Sequence, residues 1–253
     1  MTAEANAARS PVAPLWGELR YSGELARLLA DGAFRAPARR ADAQPVMLVP
    51  GFMAGDSSMT VLRRWLRRRG HRVSTSGIRV NADCAERVIS RLEPRLHKLA
   101  ADSGQPVFLI GQSRGGTLAR SLAVRNPDIV SGLVMLGSPV CDPLAVSAPV
   151  LRTVRWMAWF GDRGLPRVFS RTCADGACCE QFRDDLSAPL APHIAAVAVH
   201  SQSDAIVDWH ACLDPHAEPV EVNSSHCGMS VHPEVYRMLG RVLDVTKEGA
   251  WSG

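Results

Sequence analysis

The residue that could do chemistry stands in PVFLIGQSRGGTLA, residues 106–119. Four apolar residues, Val107 to Ile110, run into Gly111-Gln112-Ser113-Arg114-Gly115-Gly116, and a helix-forming segment follows. A G-x-S-x-G match alone is a weak signal; a buried strand before it and a helix after it give it weight. A sharp strand-to-helix turn strains the serine backbone, so its neighbours must lack Cβ atoms, and glycines flank Ser113 on both sides. The same turn presents the hydroxyl beside a helix N-terminus, where amides and the helix dipole favour developing negative charge.

Serine is a poor nucleophile at neutral pH unless a base takes its proton and an acid orients that base. Downstream, the apolar run Ile194–Val199 ends in HSQSDAIV, which places Asp204 in a loop at a strand's carboxyl end. The last apolar run, Val220–Val222, leads into NSSHCGM and places His226 in the equivalent loop one strand further on. Asp208, four residues beyond Asp204, is the alternative acid. His200, His210 and His232 read better as surface or helix residues. A tetrahedral oxyanion also needs donors, and losing one costs ~10²–10³ in rate. The amide of Arg114, directly after the nucleophile, is one candidate. The amide of Phe52 in VPGFMAG is the other, because Gly51 lets that backbone approach closely.

Parallel strands must position these groups. Strands are expected at Val46–Val49, Arg72–Ser76, Val107–Ile110, Leu133–Leu136, Ile194–Val199 and Val220–Val222. Most are apolar at consecutive positions, as strands covered on both faces are. Helices are expected at Ser58–Arg69, Ala82–Ala101, Gly116–Arg125 and Pro233–Val245, with Pro94 kinking or splitting the second. The alternation predicts an α/β chain with a mostly parallel sheet of about six strands and helices on both faces. Residues 1–44 hold one amphipathic helix, roughly Trp16–Leu29, then an Ala/Arg/Pro-rich connector; residues 45–253 form the main domain. Residues 138–192 show no clear strand but concentrate Val150, Leu151, Val154, Trp156, Met157, Trp159 and Phe160.

With 253 residues, 46% hydrophobic and 21% charged, the chain suits one soluble domain with a sizeable core. The net charge of +4 is mild, and its densest patch, Arg63 to Arg69, reads as a helix end whose cations complement the dipole. Nucleic acid is therefore not an expected partner. The opening residues carry no basic-then-apolar segment and the chain no run of 18 apolar residues, so a cytoplasmic location without a transmembrane segment is expected. Cys173-x4-Cys178-Cys179 has no second Cys/His pair at zinc spacing, so no metal site and no cofactor are expected. A Cys212–Cys227 bridge is conceivable, but reduced thiols fit better without a secretory signal.

Taken in order, VMLVPGF, LIGQSRGG, LGSP, HSQSDAIV and VNSSHCGM resemble an α/β-hydrolase of the bacterial lipase/esterase type, over about residues 45–247. The resemblance implies a Ser113–Asp204–His226 triad, carboxylic ester hydrolysis through an acyl-enzyme, and no cofactor. Three features depart from it. Pro50 replaces a histidine common before the oxyanion glycine, Arg114 stands where small or apolar residues are common, and the two leading antiparallel strands are not evident. Residues 138–192 fall where such folds insert a helical cap or lid. Met53, Gln112, Trp156, Met157, Trp159 and Phe160 are then the candidate contacts for an ester or acyl substrate or a lipid interface. Acyl transfer or thioester hydrolysis by the same serine is the alternative activity, and a non-catalytic ligand-binding version of the fold is a further one.

Overall fold

The computed structural model describes residues 15–35 and 43–245. The Ala/Arg/Pro-rich connector falls largely outside the described residues.

Six strands form one sheet: β1 (Pro45–Val49), β2 (Arg72–Thr75), β3 (Val107–Gln112), β4 (Val130–Leu136), β5 (Ala195–His200) and β6 (Glu218–Glu221). Their spatial order is β2-β1-β3-β4-β5-β6, and every pairing is parallel. A parallel sheet must be covered on both faces, and the side chains divide accordingly. Met47, Val49, Val107, Leu109, Leu133, Met135, Ala196 and Ala198 point into one core. Val46, Leu48, Phe108, Ile110, Val134, Leu136, Val197 and Val199 point into the other. The pleat puts alternate residues on opposite faces, so an uninterrupted apolar run fills both cores.

The first core is closed by helices α4 (Ala85–Ser103), α5 (Arg114–Arg125) and α8 (Glu180–Ser187). The second is closed by α1 (Tyr21–Ala30), the short α2 (Gly32–Arg35), α3 (Thr60–Arg68) and α9 (Pro233–Val245). The arginine-rich α3 turns Leu62, Trp65 and Leu66 inward, so its charge run is the solvated face of a core helix. Pro94 does not split α4, which is one helix through that position. Proline costs a helix interior ~3 kcal/mol, but α4 buries Val88, Ile89, Leu92, Leu96 and Leu99, each worth ~1.5–3 kcal/mol.

The stretch between β4 and β5 is of two kinds. Its second half belongs to the body, since Phe182 and Leu186 of α8 lie in the first core. Its first half carries α6 (Ala148–Asp162), of which only Ala158 is buried, followed by the single turn α7 (Thr172–Asp175). Residues leading into α6 run beside the loop after β5: Val146 bridges Val207 antiparallel, Ser147 N–H donates to the Ile206 carbonyl at 2.7 Å, and Asp208 N–H donates to that of Ala145 at 2.9 Å.

Candidate active site

The chain leaves β1 toward β2 and returns on the other side of β1 as β3, so the loops after β1 and β3 part and open a crevice at the carboxyl edge. Crevices of this kind are where open α/β sheets bind ligands. Ser113 sits there, between β3 and α5, with φ +52° and ψ −127°. Left-handed φ is costly for a residue with a side chain and survives only where the surroundings enforce it. Enforcement comes from a 2.7 Å hydrogen bond from Ser113 N–H to the Leu136 carbonyl at the end of β4. It also comes from Gly115, where a Cβ would collide with the carbonyl oxygen of Val49, so α5 can press its N-terminus against the end of β1 only with glycine here.

Asp204 and His226 meet in the loops after β5 and β6. Asp204 Oδ2 lies 2.6 Å from His226 Nδ1, and both residues are buried. Oδ1 of the same carboxylate accepts the amides of Ile206 at 2.7 Å and Val207 at 2.8 Å, which aims the group at the ring. Burial disfavours the imidazolium, yet the charge and hydrogen bond of Asp204, aided by Glu18, outweigh it, and the His226 pKa rises above its ordinary value. Asp208 is engaged elsewhere: its Oδ1 lies 2.8 Å from His210 Nδ1 and caps the turn Trp209–Cys212.

The imidazole and Ser113 approach the same peptide. A Cβ on Gly137 would stand 3.1 Å from His226 Nδ1, while the preceding carbonyl, Leu136, receives the Ser113 amide. Among the described residues neither the Ser113 hydroxyl nor His226 Nε2 has a hydrogen-bond partner. Such contacts are commonly long before substrate binds.

On the other flank, a Cβ on Gly51 would lie 3.3 Å from the Cβ of Ser113, so the loop after β1 rests on the elbow. The Phe52 amide has no acceptor among the described residues, and the Arg114 amide opens α5, where no intrahelical acceptor exists. Met53, next in the loop, also has positive φ, +56°, and its amide is tied to the Asn81 carbonyl at 3.1 Å. Buried Asn81 joins the two halves: Nδ2 donates to the Pro50 carbonyl at 2.7 Å, and Oδ1 accepts from the Arg114 guanidinium at 2.8 Å. That guanidinium also donates to the Asp83 carbonyl and lies 5.8 Å from the ring of Phe169, and burial lowers its pKa to about 10, still charged at neutral pH.

The residues expected to touch substrate are distributed differently. Met53 is exposed at the rim of the loop after β1. Gln112 is buried, and its side-chain amide donates to the carbonyls of His226 at 3.3 Å and Cys227 at 3.4 Å, which steadies the histidine loop. Trp156, Trp159 and Phe160 are exposed on α6, with Trp159 edge-on to Phe160 at 5.0 Å and under the Arg163 guanidinium, and Met157 is half-buried. The aromatic that reaches the loop after β1 is Phe169, 6.1 Å from Phe52, with its amide bonded to the Ala82 carbonyl at 2.8 Å.

Two acidic residues of the N-terminal segment also belong to this site. Glu18 accepts the amides of His226 at 2.9 Å and Cys227 at 3.0 Å; Glu24 accepts the amide of Ser225 at 2.8 Å and its hydroxyl at 2.6 Å. All seven cysteines are free thiols, Cys212 and Cys227 included. No helix among the described residues is long and apolar enough to cross a membrane.

Comparison with known proteins follows these geometries. A family model described as serine aminopeptidase, S33, matches residues 66–183. The search of curated proteins finds no match. Among solved structures, a lipase from Bacillus licheniformis in mature form superposes with TM-score 0.58 at 14% identity, over 82% of this chain and 94% of that one. A soluble variant of monoglyceride lipase from Saccharomyces cerevisiae, in complex with a substrate analogue, gives 0.58 at 15%, over 85% and 91%. Esterase B from Lactobacillus rhamnosis, inhibited by a tributyrin phosphonate, gives 0.60 at 16%, over 84% and 79%. At these identities the likeness is one of fold.

Proposed function

We propose that this chain, an α/β-hydrolase by fold, is a serine hydrolase that cleaves carboxylic esters through an acyl-enzyme. The observation that carries the reading is the 2.6 Å contact between Asp204 and His226, buried across the end of β4 from a serine with left-handed φ.

Ser113 is the nucleophile. His226 Nε2 takes the hydroxyl proton as Oγ attacks the ester carbonyl, and Asp204 holds Nδ1–H and stabilises the imidazolium that forms. The amides of Phe52 and Arg114 receive the oxyanion, and His226 then returns the proton to the leaving alcohol. Water repeats the sequence on the acyl-enzyme and releases the acid. Positive φ at both Met53 and Ser113, enforced through Asn81 and Leu136, supports pre-aligned donors, the arrangement that lowers a barrier without reorganisation.

Helix α6 serves as the lid. It starts beside the acid loop, at the Val146–Val207 bridge, and its far end packs at Gly161 against Phe169, which adjoins Phe52. It thus runs from the acid side of the crevice toward the oxyanion side, with Phe169 as an acyl contact. Its exposed Trp156, Trp159 and Phe160 offer an apolar surface to a lipid or an acyl chain.

Two measurements test the proposal: covalent labelling with a fluorophosphonate, mapped by mass spectrometry, and turnover of p-nitrophenyl esters by the protein and its Ser113→Ala variant. An adduct on Ser113 and loss of turnover are expected. Labelling at another residue, or turnover that persists in a folded Ser113→Ala protein, overturns it.

A further inference from the structure

Four cysteines from distant parts of the chain meet at one point. Cys84 directly precedes α4, Cys173 lies in α7, and Cys178 and Cys179 follow it. Their Sγ atoms all lie within 4.8 Å of one another. Cys84 and Cys179, 95 residues apart, are 3.4 Å apart at sulfur; Cys178 stands 3.7 Å from Cys173 and 3.9 Å from Cys179. A disulfide brings its sulfurs to about 2.05 Å, and no pair approaches that. Four thiolates around one zinc ion at about 2.3 Å stand about 3.8 Å from one another, and three of the pairs here stand at 3.4, 3.7 and 3.9 Å. We propose that Cys84, Cys173, Cys178 and Cys179 bind a single Zn²⁺ ion in a closed tetrahedral site.

The chemistry of the donor set agrees. Four sulfur donors in a tetrahedron suit zinc, and with all four positions filled by protein no position is left for water or substrate, so the site is structural. A tetrathiolate zinc centre carries net negative charge, and the guanidiniums of Arg87 and Arg114 lie within Coulombic reach of these sulfurs. Cys84 and Cys179 are buried while Cys178 is exposed, which provides an entry path. Each thiol gives up its proton on binding, so affinity rises with pH.

The site lies where a staple has an effect. Three ligands come from the segment after α6; the fourth lies one residue beyond Asp83 and three beyond Asn81, the residues that hold Arg114. That segment otherwise reaches the body through bonds such as Phe169 N–H to the Ala82 carbonyl at 2.8 Å and Arg87 to the Val168 carbonyl at 3.2 Å. Zinc pins the Phe169 region over the oxyanion loop. The sequence hides the site because Cys84 is far upstream of the other three.

The test begins with the wild-type chain, reduced and stripped of metal, then titrated anaerobically with Co²⁺. A sulfur-to-cobalt charge-transfer band that saturates at one equivalent and is displaced by Zn²⁺ is expected. With zinc bound, the four cysteines of the site should be protected from a thiol reagent relative to the metal-free protein, while the exposed Cys141 and Cys227 should react equally fast with or without metal. Cys173→Ser and Cys178→Ser should abolish the band, and Cys141→Ser should keep it. Absence of a saturable band in the reduced wild type, or a band unchanged in the Cys173→Ser/Cys178→Ser double variant, overturns the proposal, as does a peptide map showing these four sulfurs paired as disulfides in freshly isolated protein. The wild-type titration decides the matter even where a variant fails to fold.

Discussion

The carboxylate of Glu18 accepts the backbone amide of His226 at 2.9 Å, although 208 residues separate the two along the chain. Together with Glu24 on Ser225, it makes the N-terminal helix region a clamp on the histidine loop. A carboxylate receiving two neighbouring amides restrains the backbone that carries the ring, so the clamp acts on the proposed base through its backbone.

Glu24 is the stronger member because it is buried and satisfies both the amide and the hydroxyl of Ser225. Glu24→Ala should lower stability by ~1–3 kcal/mol, the range for leaving buried donors without a partner. Glu18→Gln should leave the fold intact and lower kcat with little change in KM. Denaturant midpoints and p-nitrophenyl ester kinetics check both; a Glu18→Gln enzyme with raised KM and unchanged kcat would place Glu18 at the substrate instead.

Nothing in the sequence marks these two carboxylates. On an amphipathic helix an acidic residue reads as solvated, and only the return of residues 223–228 to the same place makes Glu24 a buried partner. The strands, in contrast, were legible because burial on both faces forces consecutive apolar residues, as in Val107–Ile110. The elbow and the loops holding Asp204 and His226 were legible for a related reason: a strand end fixes where a loop residue lies, though not what its side chain meets. Gln112 illustrates the limit. It neighbours Ser113 in sequence, but its side chain is bonded to the backbone of the loop that carries His226, a contact its position in the strand does not announce. Asn81 and Phe169, which pack against the loop after β1, sit in irregular segments with no periodicity to read.

The raised pKa of His226 has a direct kinetic consequence. In its proposed role as the base, His226 must be neutral, so activity is lost as pH falls through its pKa; a raised value moves the acid limb of kcat/KM above the ~6.5 of an ordinary imidazole. Asp204→Asn removes the charge that raises it, so the limb should move to lower pH while the rate falls by ~10⁴, the scale seen when a triad acid is neutralised. Asp208→Asn, which alters the exposed His210 pair and the cap of the turn Trp209–Cys212 but no contact between Asp204 and His226, should leave both limb and rate near wild type. A pH profile of the three proteins gives the answer; equal profiles for wild type and Asp204→Asn contradict the assignment.

Asn81 makes a different kind of prediction, because its side chain reaches the proposed oxyanion donors through the Pro50 carbonyl and the Arg114 guanidinium. Asn81→Ala leaves the Pro50 carbonyl and the guanidinium each short of a partner, and the loop carrying Phe52 relaxes away from the elbow. The expected loss is in kcat, ~10²-fold or less, bounded by the ~10²–10³ of deleting a donor outright. KM should hold, and the rate of fluorophosphonate labelling should fall in parallel, since that reaction develops similar charge on oxygen. A change in KM alone would move Asn81 from positioning the donors to contacting substrate.

Arg120 tests the body rather than the site. Its guanidinium has no exposed surface and donates to both oxygens of Asp214, at 2.5 and 3.3 Å, to the Ala188 carbonyl at 2.9 Å and to the Asp185 carbonyl. This joins α5, the helix that begins at Ser113, to the end of α8 and to the loop before β6. Breaking a buried pair by removing one member costs ~3–5 kcal/mol, because the remaining charge stays buried without a partner. Arg120→Ala should therefore unfold at much lower denaturant, and Arg120→Met/Asp214→Leu should recover part of the loss by removing both charges. Since no atom of the pair lies in the crevice, kcat per folded molecule should stay within a few-fold of wild type in both proteins. Chemical denaturation of the two variants, with active-site titration to count folded enzyme, separates the outcomes: a large fall in kcat at full folding would mean that α5 transmits the strain to Ser113.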